Sequence, residues 1–513
     1  MKRPVVRAIA GVLLCVVGFI LARATPYREA TVVVDAGGCR LVTDIVDLGG
    51  DTPQGSVVLL HGLAANKKIM SYLAYGFAQQ NLRVFVPDLP GHGRTQGPFS
   101  FVRAESCADS FVRQLIARGA IDPAHTILAG HSMGGAIAVR VAARVPVAGV
   151  IAISPAPMSS AHGVPSDGVL FGSAPATTAN TLVISAAWEP AAVRETARDL
   201  VTGSSATNGK YLVLPHATHV GLLFDRRVAR AEQEWAAEEL HLPPGAALPY
   251  SGMLPGCFIG LAGVLLLSGP FLRETLSLNP RLRDHTEAAA FGYEPILNEA
   301  AALSGVRLLL EIAVISLVSL VVLRFWNLLS FVRVFNGGYL AGFLLVAGLG
   351  LLLLHRRSLR ALWSRNAGTL LAAAFAGLVL HLLIMGWFEV TQTETWLSAA
   401  RWARFPFLFV GFLPYLAAEE LLLGASFVRG RVAHFTLALA SRTVVWVVLV
   451  VGILTLHSGA ILVVLLAPYL AVFCVLQRAG MDVVRKGTGS PMAAAIFGAI
   501  LLAGFCLVIF PIT

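Results

Sequence analysis

Thr126-Ile127-Leu128-Ala129-Gly130-His131-Ser132-Met133-Gly134-Gly135 passes from a strand-like apolar run into a glycine-rich turn, and Ala136–Ala143 continues it as a helix. The G-x-S-x-G spacing of Gly130, Ser132 and Gly134 means little by itself in a chain with 49 glycines. Between a strand and a helix it acquires a physical reason. Glycine lets the backbone turn sharply and approach its neighbours without a Cβ in the way. Such a turn lifts the Ser132 hydroxyl to the carboxyl edge of a sheet, above the positive end of a helix.

A serine hydroxyl is a weak nucleophile until a base takes its proton and a third group orients that base. Two segments further on offer both. Leu182-Val183-Ile184-Ser185 reads as a strand that ends in Ala186-Ala187-Trp188-Glu189-Pro190. Tyr211-Leu212-Val213-Leu214 reads as another, followed by Pro215-His216-Ala217-Thr218-His219. Glu189 is the candidate acid, with Asp167 a substitute, and His219 or His216 the candidate base; register favours His219. Val57-Val58-Leu59-Leu60-His61-Gly62-Leu63 is a strand ending in His-Gly. The N–H groups of Leu63 and Met133 are therefore expected to converge on a developing oxyanion, a donor of this kind being worth ~10²–10³ in rate. Lys67 and Lys68 are expected to be solvated residues at the start of a helix.

Around these segments, residues 24–245 alternate short β-branched runs with helical stretches, the pattern of βα units on a largely parallel sheet. Val32–Asp35 and Leu41–Asp47 flank Ala36-Gly37-Gly38 as a hairpin; Val84–Val86 and Val150–Ser154 are further strands. Of the six cysteines, only Cys39 and Cys107 fall in this stretch; an external compartment permits a bridge between them, and the sequence leaves open whether they pair.

Charge divides the chain. Only 13% of the 513 residues are charged against 56% apolar, whereas a water-soluble protein carries about 25% charged residues. The net +10 is unevenly spread: residues 24–250 hold 17 basic and 18 acidic side chains, while 1–23 hold four basic and no acidic ones. A nucleic-acid binder would gather its basic excess on a polar domain; here it flanks apolar runs, so nucleic acid is excluded as the default partner. Residues 1–23 read as a membrane anchor or a signal segment ending in Ala22-Arg23-Ala24. After a Pro/Gly break at 243–255, residues 246–513 hold eight apolar segments of bilayer length. They lie near 253–272, 306–323, 336–354, 368–387, 405–424, 434–456, 459–477 and 492–511. With the N-terminus inside, sixteen Lys/Arg fall in inside loops and ends against four outside, which predicts an external domain at 24–245. Glu311, Glu419, Glu420 and Arg442, with His381 a weaker member, are ionisable groups within these segments. Such groups are costly in lipid and mark either a structural ion pair or a polar site; Glu419 or Glu420 is expected to pair with Arg442.

Residues 55–240 resemble the α/β-hydrolase fold, and especially its monoacylglycerol lipase and lysophospholipase-like branch. The residues that carry the resemblance are V-V-L-L-H-G-L at 57–63, V-P-D-L-P-G-H-G-R-T at 86–95, G-H-S-M-G-G at 130–135 and P-x-x-x-H ending at His219. By family position Ser132 is the nucleophile, Glu189 the acid and His219 the base, while Asp88, His92 and Arg94 belong to a mainly structural loop. Two features depart from the family: the acid is Glu rather than the usual Asp, and Pro155–Asn180 is too short for the helical cap of relatives. The resemblance implies an α/β-hydrolase domain with a very short cap, fused to an all-α polytopic membrane bundle. It implies a serine hydrolase that cleaves an ester or acyl-lipid-like substrate at the bilayer, with no cofactor or metal. An acyltransferase using the same triad, and a lipid- or ion-handling membrane protein with a non-catalytic module, are the alternative readings.

Overall fold

The computed structural model describes residues 3–49, 52–164, 171–172, 179–202, 209–277, 304–362, 367–426, 430–456 and 460–513. The chain forms two compact units. One comprises Val17–Phe258 with Phe388–Thr395 and Pro511–Thr513; the other comprises Met1–Val16, Ile259–Trp387 and Trp396–Phe510.

The first unit is built on an eight-stranded sheet: β1 (Arg28–Ala36), β2 (Cys39–Asp47), β3 (Gly55–Leu60), β4 (Leu82–Pro87), β5 (Thr126–His131), β6 (Gly149–Ile153), β7 (Asn180–Ala186) and β8 (Gly209–Leu214). Their order is β1-β2-β4-β3-β5-β6-β7-β8. The hairpin β1–β2 turns on Gly37-Gly38, both at positive φ, and β2 pairs antiparallel with β4. All pairs from β4 to β8 are parallel. The near-continuous apolar runs of β3, β5 and β6 follow from this, because a parallel sheet is covered on both faces; every residue of β5 and β6 is buried. Helices α2 (Ser71–Ala78), α3 (Phe101–Ala117), α4 (Met133–Ala142), α5 (Ala191–Thr202) and α6 (Arg226–Glu239) follow strands or the loops after them. Ser100 and Asp225 cap α3 and α6 by accepting from the amides of Arg103 and Arg227.

In this unit one open question is answered and one expectation is corrected. Cys39 and Cys107 are joined as a disulfide, tying the hairpin to α3; the two residues lie on elements that only the folded sheet brings together. Lys67 is not solvated but 1% exposed, its ammonium paired with Asp88 at 3.0 Å and with Glu394. Lys68 is partly exposed and pairs with Glu29 and Asp44 at 2.7 and 2.9 Å. Between β6 and β7, residues 155–164 carry only a single helical turn at Ala161–Gly163. Asp167 lies outside the described residues.

The second unit is helical. With α1 (Arg3–Arg23), the remaining helices among the described residues are α7 (Met253–Ser277), α8 (Gly305–Phe325), α9 (Gly337–Leu354), α10 (Ala367–Thr391), α11 (Ala399–Trp402), α12 (Phe405–Gly424), α13 (Arg431–Leu456), α14 (Ile461–Leu465), α15 (Ala467–Thr488) and α16 (Pro491–Ile509). Among the described residues nine helical stretches are long and apolar enough to cross a membrane, α11 and α12 counting as one. Outward rows such as Val314, Leu317 and Val321 on α8, or Val447, Val451 and Leu454 on α13, are half or more exposed and wholly apolar. That surface suits lipid rather than water. Inside, small residues let backbones touch: a Cβ on Gly348 of α9 would overlap the Pro414–Tyr415 backbone of α12.

The expected segment at 459–477 is displaced. Pro468 cannot continue α14, so the chain restarts there as α15 and runs on to Thr488. Arg478, expected in a loop, is thereby carried into the bundle, where it is wholly buried. The carboxylates of Glu419 and Glu420 on α12 make that burial tolerable, at 3.3 and 2.6 Å.

Glu232 is the exposed weakness of the first unit's core. It is buried in α6, and neither carboxyl oxygen meets a hydrogen-bond partner among the described residues. Burial holds its carboxyl well above the usual range. A raised folded-state value means that stability is complete below the unfolded-state pKa of about 4.3 and declines as pH rises through the folded one. Glu232→Gln is therefore expected to raise the thermal midpoint by a few degrees at pH 7 and to leave it unchanged at pH 3.5, as read by scanning calorimetry.

Candidate active site

Register brings the loop ends together. Leu60 pairs with Gly130 and His131 with Ile153, so β3, β5 and β6 end side by side. Ser185 pairs with Val213 and Ala186 with Leu214, which does the same for β7 and β8. Trp188 then donates its amide to the Ala217 carbonyl at 3.2 Å, and Ala187 donates to Leu214 at 3.1 Å, locking the two loops to each other.

Ser132 stands at the β5–α4 junction with φ 54° and ψ −116°. This is a strained backbone for any residue with a Cβ, and strain of this kind costs of order 1–3 kcal/mol. The surrounding glycines make it possible. A Cβ on Gly130 would overlap Gly134, one on Gly134 would overlap the Leu60 backbone, and one on Gly135 would press on the Gly130 carbonyl and Pro155. The Ser132 amide donates to Ile153 at 2.9 Å and its carbonyl accepts from Ala156 at 2.9 Å, which pins the turn from both sides. Gly62 lies against it, since a Cβ there would fall 3.2 Å from Ser132 Cβ. The Leu63 and Met133 amides donate to no protein acceptor among the described residues.

Glu189 is 7% exposed in the turn after β7, and its two oxygens are divided. Oε1 lies 2.5 Å from His219 Nδ1, and Oε2 accepts from the Ala186 amide at 3.0 Å. Arg194 donates to the Ala187 carbonyl at 2.8 Å and also to the Glu189 carbonyl, holding the turn from beneath. The longer Glu side chain thus reaches the imidazole from a tight turn. His216 is exposed at positive φ and does not meet Glu189. Among the described residues no hydrogen bond joins Ser132 Oγ to His219, an arrangement common in unliganded sites, where such bonds tighten with substrate.

His131 and His61 carry positions rather than protons. His131 Nε2 donates to the His219 carbonyl at 2.9 Å, with the two rings 4.7 Å apart. Burial, then the neighbouring His219, push His131 down to about 3. His61 is completely buried; its Nδ1 donates to the Gly62 carbonyl at 2.8 Å and its Nε2 accepts from Leu89 at 2.9 Å. Burial likewise keeps it neutral. His92 Nε2 accepts from Ala64 at 3.3 Å, so both histidines fasten the Gly62–Ala64 turn to the loop after β4. Among the described residues no three His, Cys, Asp or Glu side chains converge as a metal site.

The ionisable groups of the helical unit divide into two places. Arg442 on α13 meets both oxygens of Glu419 at 2.8 Å, and also Gln477 Oε1 at 3.0 Å and the Cys474 carbonyl at 2.7 Å. Arg478 on α15 joins Glu419, Glu420 and Asp482. Glu311 lies elsewhere, bonded to Arg307 at 2.9 Å and His355 at 2.8 Å. His381 packs its ring against Gly504 of α16, and its Nε2 has no partner among the described residues. Sequence reading missed Arg478; the signal was its i,i+4 spacing from Asp482 in a stretch that continues in helical period.

Two outcomes follow from this geometry. Ser132→Gly is expected to raise stability by about 1 kcal/mol, because glycine relieves the strained φ, measured by denaturant unfolding alongside wild type. Arg442→Met leaves a buried carboxylate short of its partner and is expected to cost about 3–5 kcal/mol, whereas the pair Arg442→Met with Glu419→Met recovers most of it. Thermal unfolding in detergent reads both.

Residues 57–256 match the family described as Alpha/beta hydrolase family. The monoacylglycerol lipase of Mycolicibacterium smegmatis is 37% identical over 112 residues, which are 21% of this chain and 40% of that one. The AB hydrolase superfamily protein YisY of Bacillus subtilis is 34% identical over 100 residues, 20% of this chain and 35% of that one. The chain thus spans well under half the length of these curated relatives. Among solved structures, a soluble variant of the monoglyceride lipase of Saccharomyces cerevisiae shares 14% identity at a TM-score of 0.33, covering 41% of this chain and 96% of that one. A dienelactone hydrolase from Anabaena variabilis shares 21% identity at the same TM-score, covering 42% and 98%. The sheet order, the glycine-bound serine turn and the matched segment agree: residues 57–256 form a domain of the α/β-hydrolase fold.

Proposed function

We propose that this protein is a membrane-bound serine hydrolase that cleaves carboxylic esters of acyl-lipid type, in the manner of the monoacylglycerol lipase-like branch. The observation that carries the reading is the His219–Glu189 pair at 2.5 Å, on the sheet edge where the strained turn exposes Ser132. In this reading Ser132 Oγ attacks the acyl carbonyl while His219 Nε2 takes its proton. Glu189 holds the ring by Nδ1 and stabilises the imidazolium. The unpaired Leu63 and Met133 amides receive the oxyanion, and His219 then protonates the leaving alcohol. Water, deprotonated by His219, resolves the acyl-enzyme and returns Ser132 to its starting state. Neutral His131 adds no second positive charge beside the imidazolium.

The domain faces the external side of the membrane in this proposal, with the N-terminus inside. The inside excess of Lys/Arg supports the orientation. So does the membership of the first unit: counting spans from an internal N-terminus puts Val17–Phe258, Phe388–Thr395 and Pro511–Thr513 on one side. The short segment between β6 and β7 leaves no room for a deep tunnel, which favours a shallow acyl site open to the outer leaflet.

Fluorophosphonate labelling of the full chain in detergent tests the reading. Wild type is expected to label and Ser132→Ala to remain unlabelled; loss of the difference overturns the hydrolase assignment. Glu189→Gln is expected to lower kcat about 10³–10⁴-fold by upsetting the tautomer of His219. Across a panel of acyl chain lengths, activity is expected to favour micellar monoacyl esters. A preference for short water-soluble esters would remove the lipid assignment while leaving the triad intact.

A further inference from the structure

The turn that carries the Leu63 amide is fastened from two directions, and only one of them belongs to the matched family segment. On one side is the loop after β4 with its His92 and with Asp88, whose Oδ1 accepts from the Lys67 amide at 2.8 Å and whose Oδ2 accepts from the Lys67 ammonium at 3.0 Å. On the other side is Phe388–Thr395, more than 290 residues further along the chain and part of the same compact unit. Asn66 Nδ2 donates to Thr393 Oγ1 at 2.8 Å and to the Glu394 carbonyl at 3.2 Å. Glu394 Oε1 accepts from the Lys67 ammonium and forms an ion pair with Arg94 Nε at 3.1 Å. Glu389 closes the segment by accepting from the Thr395 amide at 2.5 Å while it holds Arg94 at 2.7 Å.

A second remote segment grips the same loop after β4. Ile512 donates its amide to the Gly91 carbonyl at 3.3 Å and accepts from the Phe99 amide at 2.6 Å, a short strand-like bridge. Phe99 in turn packs edge-on against His92, the histidine that holds the Ala64 amide. The cluster is dry: Lys67 is 1% exposed, Asp88 0%, Asn66 7% and Glu394 9%. A buried ammonium with one carboxylate partner removed is costly, so the turn's geometry depends on both sides being present.

We infer that Glu394 and Asn66 are positioning residues for the oxyanion donors, so that the segment 388–395 from the C-terminal half of the chain completes the active site of the N-terminal domain. This rests on the hydrolase reading and gives the helices that carry that segment a role in catalysis beyond anchorage. The segment sets where the Leu63 amide points without touching substrate. A loosened turn therefore weakens transition-state stabilisation, which is realised at the oxyanion, more than ground-state binding. Burial, followed by the adjacent Asp88 carboxylate, raises the Glu394 carboxyl to about 8. Glutamine keeps the length of Glu394 and the acceptor oxygen that faces Lys67 and Arg94, so it is the conservative replacement.

The test uses the full chain in detergent with a p-nitrophenyl ester, together with hydrogen exchange of the peptide over residues 61–70. Glu394→Ala is expected to lower kcat at least 10-fold with KM within 2-fold, and to speed exchange at 61–70 while leaving 126–131 as in wild type. Asn66→Ala, a milder change, is expected to lower kcat about 3- to 10-fold with the same exchange signature. Glu394→Gln is expected to restore both to near wild type. The inference is overturned if Glu394→Ala and Asn66→Ala keep wild-type kcat and exchange, or if exchange rises equally across the sheet. If wild type shows no Ser132-dependent labelling, the functional reading fails by itself; local exchange at 61–70 still decides whether Glu394 holds the turn.

Discussion

Everything at the candidate site depends on one backbone constraint: Ser132 is held at φ 54° between a strand and a helix. A residue with a side chain accepts such a conformation only when its surroundings leave no alternative. Here Gly130, Gly134 and Gly135 bring β5, α4, the end of β3 and Pro155 within contact distance of one another. The turn is consequently a point where three elements meet with no slack. The Leu63 and Met133 amides flank the serine because the β3 and β5 ends are in register, and the β7 and β8 loops arrive on the same edge because the sheet is parallel.

Around that point the protein uses neutral histidines and buried ion pairs for different purposes. His61, His92 and His131 are fixed by hydrogen bonds from or to backbone groups, and the burial of His61 and His131 keeps them uncharged. They orient loops without adding charge beside His219. The charged groups do another kind of work. Lys67, Asp88 and Glu394 tie segments that are distant in sequence, and Glu419, Glu420, Arg442 and Arg478 tie three helices of the second unit. Buried pairs add little net stability but make one arrangement far better than its neighbours, because any slip leaves a charge unpaired.

Much of this architecture is legible in the amino-acid order. Strands such as Val57–Leu60 and Thr126–Ala129 announce themselves as short apolar runs, and the glycine pattern at 130–135 has one economical explanation. Ser132, Glu189 and His219 each follow a recognisable strand, and the structure pairs two of them, Glu189 and His219. The membrane-length segments are equally plain, except where Pro468 restarts a helix whose later half is charged. There the hydropathy window ends at the first cluster of polar residues, whereas the helix continues because those residues find partners inside the bundle.

The sequence by itself determined which segments are strands, which are long apolar helices, and which three side chains have the chemistry of a nucleophile, an acid and a base. These are local properties, set by periodicity, glycine placement and residue type. Only the tertiary structure decided the partners of Lys67, Arg478 and Cys39. Lys67 reads as a solvated lysine until Glu394 arrives from 327 residues away. Arg478 reads as a loop charge until Glu420 stands 2.6 Å from it, and the pairing of Cys39 stays open until Cys107 lies across from the hairpin. Burial and pairing are properties of the whole chain in space, and no window on the sequence contains them.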